Sequence, residues 1–155
     1  MKITIDKAIG IALEAHKNKK DKCGCAYILH PLRVAHTFSD DKYFITAVLH
    51  DVLEDGDDIV KDKLICALRE DDDIIEALEL LNHKKGIPYM EYIKNMYGNR
   101  LAEEVKLADL NDNMDRERRA KAICCMKNKG EIGRFNDKQK KYATAYDLLM
   151  LNMIL

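Results

Sequence analysis

The sequence has no tryptophan, only 2 prolines and only 4 threonines among its 155 residues. Valine is also scarce at 5 residues, whereas leucine (17) and alanine (14) are abundant. Strands favour β-branched and aromatic residues, and helices favour leucine and alanine. The composition therefore predicts an all-α protein, and its length is typical of one domain, which we expect to span residues 1–155.

The sequence also lacks long apolar runs and an excess of either charge. No segment approaches the ~20 apolar residues that a membrane helix needs. The 26 basic residues nearly balance the 27 acidic ones, which argues against a nucleic-acid-binding protein and against a membrane partner. The first ten residues carry no secretory signal pattern, and the 5 cysteines include no Cys-x-x-Cys pair. We therefore expect a cytoplasmic protein with reduced thiols.

Apolar spacing places a series of short helices along the chain. The first covers about residues 5–16, and Pro31 is expected to open a second over 30–38. A third begins near Asp40 and continues through Val52 to the acidic turn at 54–58. Further helices are expected at about 60–69, 73–83, 88–97, 99–111, 116–127 and 136–152. The apolar end of the last helix predicts packing on the core or on a second copy of the chain, as in a homo-oligomer.

Four residues on otherwise apolar helices form a candidate metal site. They are His30, the adjacent pair His50 and Asp51, and Asp109. Buried imidazoles and carboxylates are costly unless they are hydrogen-bonded or bind a metal. Nitrogen and oxygen donors together suit borderline divalent ions such as Mn²⁺, Fe²⁺ or Zn²⁺.

Three ordered segments, AYILHPLRVA, AVLHDVLEDGD and VKLADLNDN, resemble the HD-domain hydrolases of the RelA/SpoT type. The likeness is greatest to small, single-domain alarmone hydrolases of the Mesh1 kind. It implies a compact HD-domain helical bundle that hydrolyses the 3′-pyrophosphate of guanosine tetra- or pentaphosphate with metal-activated water. The implied metal is Mn²⁺, with Fe²⁺ or Zn²⁺ as alternatives, and its ligands are His30, His50, Asp51 and Asp109.

The same resemblance assigns roles to neighbouring residues. Glu54 and Asp55 match a pair that orients or activates the attacking water, and Asn113 matches an asparagine of the substrate pocket. Lys19 stands where the family often has arginine, with Lys20 beside it. Both lysines are candidate ligands for substrate phosphate, although lysine lacks the two-pronged geometry of arginine.

Two other functions stay open. The first is an HD-family nucleotidase or phosphatase acting on another small nucleotide, because the metal and water groups are shared while the region of Lys19 differs. The second is a non-catalytic nucleotide sensor with an HD fold, against which the intact Glu54–Asp55 pair argues.

Overall fold

The computed structural model describes residues 2–155, which fold into ten helical segments. The extended pairing found among these residues is a single isolated bridge between Lys20 and Ala26. The all-α prediction is therefore confirmed. The segments are α1 (Ile5–Ala15), α2 (Leu29–Ala35), α3 (Asp41–Leu49), α4 (Val52–Asp55), α5 (Asp58–Ala67), α6 (Asp72–Leu81), α7 (Tyr89–Lys94), α8 (Arg100–Asn113), α9 (Arg116–Cys125) and α10 (Lys129–Ile154).

Helix α3 lies at the centre of the bundle and packs against α1, α2, α6 and α8. Its last five residues, 45–49, are all buried, so the helix has no solvent-facing side near its end. Helix α10 packs along α8 and α7. The largest fully buried side chains are Leu49, Leu64, Leu68, Leu78, Ile93, Met96, Leu110 and Leu149.

The third predicted helix is interrupted at His50 and Asp51, and this differs from our expectation of one continuous helix. The Nδ1 atom of His50 lies 2.7 Å from the Ala47 carbonyl oxygen, the acceptor that a continuous helix would use for its backbone. A side chain that takes a helix carbonyl competes with the backbone ladder. The chain consequently restarts as α4, with Asp51 as its N-terminal flanking residue.

Other helix boundaries also differ from the sequence-based ranges. Helix α2 ends at Ala35 rather than at residue 38, and α10 begins at Lys129 rather than at 136. Asn128 explains the earlier start, because its side chain accepts a hydrogen bond from the Glu131 amide and caps the helix.

The C-terminal end of α10 is only partly covered. Leu149 is fully buried, whereas Leu151 and Ile154 are 56% and 74% exposed. The helix therefore packs on the core through one side and leaves apolar side chains in solvent. No described helix is both long enough and apolar enough to cross a membrane.

Candidate active site

The four predicted ligand residues converge from different parts of the bundle. Helix α2 carries His30, the α3–α4 junction carries His50 and Asp51, and α8 carries Asp109. The Nε2 atom of His30 lies 3.1 Å from Oδ1 of Asp109 and 3.7 Å from Oδ2 of Asp51. The Nε2 atom of His50 lies 3.2 Å from Oδ1 of Asp51 and 3.7 Å from Oδ1 of Asp109. Two imidazole nitrogens and two carboxylates thus surround one point.

These separations fit one divalent ion. Ligand atoms ~2.1 Å from a common ion lie ~3.0–3.4 Å from each other, which is close to the spacing found here. His30, His50 and Asp51 form the group of potential metal ligands in the described part of the chain, with one donor atom from each lying within 4.8 Å of the others. These three residues could therefore hold a metal ion, and Asp109 is placed to complete the set.

The two histidines are oriented by the atoms behind them. Nδ1–H of His50 donates to the Ala47 carbonyl, and Nε2 of the same ring is buried without a hydrogen bond. Nδ1 of His30 lies 2.8 Å from Oδ2 of Asp112. A metal-binding histidine commonly donates its second ring N–H to a carbonyl or carboxylate in this way. The unpartnered, buried Nε2 of His50 is the observation that best fits a bound ion.

The surrounding charges hold the carboxylates ionised. Burial alone would raise the pKa of Asp109, but Lys106 and the two histidines outweigh burial and lower it well below its usual value. Burial lowers the pKa of His50, but the neighbouring carboxylates of Asp51 and Asp109 outweigh burial and raise it well above its usual value.

Helix α8 presents four polar side chains on one side, namely Lys106, Asp109, Asp112 and Asn113. Lys106 donates to Oδ2 of Asp109 at 2.7 Å, and Nδ2 of Asn113 donates to Oδ1 of Asp109 at 2.5 Å. Asp112, one turn after Asp109, forms a second cluster. Leu110 and Val105 anchor the helix in the core beside them. The rigid helix consequently sets the positions of all four polar groups.

The Asp112 carboxylate contacts three side chains that are cationic or can become cationic. Besides His30, Arg33 donates through Nε to Oδ1 at 2.9 Å and through Nη2 to Oδ2 at 3.0 Å. Arg118 donates to Oδ1 at 2.8 Å. Burial opposes ionisation of Asp112, but the hydrogen bonds from His30 and Arg33 lower its pKa to about 2.

Tyr27 and the turn before it support the site from the opposite side. The Tyr27 hydroxyl donates to Oδ2 of Asp51 at 2.7 Å. The backbone amide of Tyr27 donates a hydrogen bond to the Lys19 carbonyl and so connects Tyr27 to the lysine-rich turn. Lys19 itself donates to the Asp55 backbone carbonyl at 2.5 Å and lies 3.3 Å from the Asp55 carboxylate.

The remaining predicted residues separate into two groups by position. Glu54, Lys20 and Asn113 line the main cavity, together with His30, Asp51 and Asp109. Lys19 and Asp55 do not line it. The Asp55 carboxylate is directed to Lys19 and to His16, whose Nδ1 atom is 3.4 Å away.

Glu54 lines the cavity beside the candidate metal ligands and has no ion-pair partner among the described residues. Burial raises its pKa, and the negative charges of Asp51 and Asp55 raise it further. A raised pKa makes a carboxylate a stronger base, and a positioned carboxylate can accept a proton from a reacting group.

The cavity has a volume of about 820 Å³, and six further basic side chains line it in addition to the candidate metal ligands. None of these lysines and arginines forms an ion pair with a carboxylate in the described part of the chain. Lys22 instead lies over the Phe135 ring, and Lys138 lies over Tyr142. Burial lowers the pKa of Lys22, and the charge of Lys138 lowers it further. We call this surface the basic wall; its members are Lys20, Lys22, Arg119, Arg134, Lys138 and Lys141.

Sequence reasoning missed Lys106, Asp112 and Tyr27. The first two lie three residues before and three residues after Asp109, so helical spacing alone would have placed them on the same side of α8. Tyr27 approaches Asp51 only through the tertiary fold.

Comparison with known proteins gives a relative for part of the chain. Over 57 residues, 34% of the chain, it is 44% identical to a guanosine-3′,5′-bis(diphosphate) 3′-pyrophosphohydrolase of Aquifex aeolicus (strain VF5). The chain spans 8% of the length of that protein. No family model matches the sequence. The partial match supports a relationship to the RelA/SpoT-type hydrolases over about a third of the chain.

Proposed function

We propose that this protein hydrolyses the 3′-pyrophosphate of guanosine tetra- or pentaphosphate, and that residues 1–155 act as one HD-type hydrolase domain. One observation carries the proposal: a cluster of two histidines and two aspartates opens into a cavity with a basic wall. The partial relative, named as a pyrophosphohydrolase of this nucleotide, supports the same substrate class.

His30, His50, Asp51 and Asp109 would hold the divalent metal, for which we propose Mn²⁺. A divalent ion supplies two effects when bound: it lowers the pKa of a coordinated water and offsets phosphate charge. Asn113 keeps the Asp109 carboxylate in place through a hydrogen bond to Oδ1. Tyr27 does the same for Asp51.

Glu54 is the proposed proton acceptor. It lines the cavity, lies one helical turn after the His50–Asp51 pair and has a raised pKa. Asp55 has an indirect role in this proposal. Its contacts with Lys19 and His16 hold in place the turn that carries Lys20.

The basic wall is the proposed binding surface for the phosphates that are not cleaved. Guanosine tetraphosphate carries one pyrophosphate on the 3′ and one on the 5′ oxygen of its ribose. When the 3′-pyrophosphate lies at the metal ligands, the 5′-pyrophosphate needs a second binding surface. Unpaired lysines and arginines in a partly enclosed cavity favour such groups. Among the predicted substrate ligands, Lys20 and Asn113 line this cavity, and Lys19 contributes by positioning Lys20.

One observation favours the second candidate, a nucleotidase or phosphatase acting on another small nucleotide. Lys19 is paired with Asp55, so the position often occupied by arginine in the resembled family offers no free cation here. A less specific phosphate site would accept simpler nucleotides.

A substrate screen tests the proposal and separates the two candidates. The manganese-loaded protein is incubated with guanosine tetraphosphate and with a panel of nucleoside mono-, di- and triphosphates, and products are identified by mass. We expect pyrophosphate and guanosine 5′-diphosphate from the first substrate and slow turnover of the others. Equal or faster hydrolysis of 3′- or 5′-monophosphates would contradict the proposal and favour the nucleotidase.

Variants of the lysine-rich turn provide a matched control. Lys20→Ala should lower kcat/KM for guanosine tetraphosphate more than for a nucleoside monophosphate, because the monophosphate lacks the second anionic group. Lys17→Ala removes an exposed lysine of the same segment that does not line the cavity and should leave both values unchanged. Parallel losses on both substrates would remove Lys20 from the proposed binding surface.

A further inference from the structure

The carboxylate of Asp112 lies where α2, α8 and α9 meet, directly behind a proposed metal ligand. Its side chain is 11% exposed, and both oxygens are used. Oδ2 lies 2.8 Å from Nδ1 of His30, and Oδ1 accepts from Arg33 and Arg118.

The chemistry of this contact determines which nitrogen of His30 is free. An ionised carboxylate can only accept hydrogen bonds, so Nδ1 of His30 must carry the hydrogen. In the neutral ring the lone pair is then on Nε2, the atom that lies 3.1 Å from Asp109 and 3.7 Å from Asp51. The ring therefore presents its free nitrogen to the other proposed ligands.

The two arginines fix the carboxylate itself. Arg33 engages both oxygens with its two-pronged guanidinium, and this geometry restricts rotation of the carboxylate plane. Arg118 adds hydrogen bonds to the Asp112 carbonyl and to Oδ1, which tie α9 to the end of α8. Asp112 is thus held rigidly by groups that do not themselves reach the proposed metal ligands.

We propose that Asp112 is a positioning residue for the metal centre, which holds His30 with Nδ1 protonated and Nε2 directed at the metal. This inference rests on the proposed function for the identity of the metal ligands. It adds a role for a residue that lies outside the ligand set. It also assigns Arg33 and Arg118 to the support of Asp112 rather than to the basic wall.

Metal affinity of three variants tests the role without an activity assay. Asp112→Asn keeps an acceptor oxygen but loses the charge, and Asp112→Ala loses both. Loss of a group that orients a metal ligand typically weakens metal affinity ~10–100-fold, so we expect about tenfold for the asparagine variant and up to ~100-fold for the alanine variant. Asp115→Asn is the matched control, because Asp115 also lies near Arg118 but makes no contact with His30.

Titration with Mn²⁺ or Zn²⁺ against a chromogenic chelator gives the affinities, and circular dichroism verifies folding. If the alanine variant does not fold, the asparagine variant carries the test. In the zinc-loaded protein, ¹H–¹⁵N spectra should show a slowly exchanging Nδ1 proton on His30. Asp112→Ala should lose this signal, an effect that a merely structural role would not produce.

Three results separate this inference from the proposed function. Unchanged metal affinity in folded Asp112→Asn and Asp112→Ala would overturn the positioning role, even if the wild type hydrolyses guanosine tetraphosphate. Weakened affinity in both variants would support it, even if the wild type hydrolyses a different nucleotide. An equal loss in Asp115→Asn would overturn it, since the effect would then follow from charge alone.

Discussion

Under the proposed function, replacing Lys106 with methionine removes a cation that would compete with the metal for Asp109. The Lys106 side chain is 11% exposed, and its Nζ atom lies 2.7 Å from Oδ2 of Asp109. Methionine preserves most of the side-chain volume beside Tyr92, over which the lysine lies at 5.3 Å from the ring centroid. The variant therefore isolates the charge from the packing.

We expect Lys106→Met to lower the stability of the metal-free protein and to increase its affinity for metal. In the metal-free protein, loss of one partner of a buried ion pair costs ~3–5 kcal/mol of the free energy of unfolding. For a chain of this size each kcal/mol lowers Tm by ~2–4 °C, so the metal-free Tm should fall by about 6–20 °C.

Metal affinity should change in the other direction. An ion bound ~2.1 Å from an Asp109 oxygen would lie roughly 5 Å from the lysine nitrogen. Charges of about +2 and +1 at that distance repel by ~1.7 kcal/mol in a water-like medium and by ~7 kcal/mol at an effective dielectric constant of about 20. Even the smaller value predicts metal binding at least ~10-fold tighter in Lys106→Met.

Thermal unfolding with and without Mn²⁺, together with a direct titration, measures both effects. Lys63→Met is the control, since Lys63 forms an exposed pair with Glu14 at 2.6 Å that should contribute less than ~1 kcal/mol. Weaker metal binding in Lys106→Met would refute this reasoning and would show that the lysine orients Asp109 instead of competing for it.

Three further predictions concern the same centre. Asp109→Ala should lose bound metal in elemental analysis of the purified protein, and equal metal content in both proteins would remove Asp109 from the ligand set. Burial lowers the pKa of His30 and of His50, but the neighbouring carboxylates raise both on balance. Protons therefore compete with the metal already above pH ~6.5, and metal affinity should fall continuously as the pH falls; a constant affinity from pH 8 to 5.5 in isothermal titration would argue against histidine ligands. Glu54→Gln should keep metal and fold but lose ~10²–10⁴-fold in kcat, and full activity would exclude Glu54 as the proton acceptor.

The fold class could be predicted from the sequence because helical composition and apolar spacing are local properties. The sequence predicts that the third helix begins near Asp40, and in the structure the Asp40 side chain accepts hydrogen bonds from the amides of Lys42 and Tyr43. Helix ends that depend on other contacts were less predictable. The helix breaks at His50 because the ring nitrogen Nδ1 hydrogen-bonds to the Ala47 carbonyl. Amino-acid composition and apolar spacing do not predict this contact.

The ligand candidates could also be named from the sequence, because three ordered motifs carry them. Their convergence is visible only in the structure, which places Asp109 beside two residues about 60 positions earlier in the chain. Their role as metal ligands stays a prediction that the experiments above test.

The neighbours of these candidates depended on the tertiary structure. The sequence alone determined that lysines precede the His30 motif and that acidic residues follow the His50–Asp51 pair. Only the fold directs Lys19 to Asp55 and leaves Lys20 at the cavity, because the backbone of the turn, paired through Tyr27, decides which side chain faces inward. Ion pairs between residues that are distant in sequence form because packing brings the residues together, so the local sequence does not predict the partner.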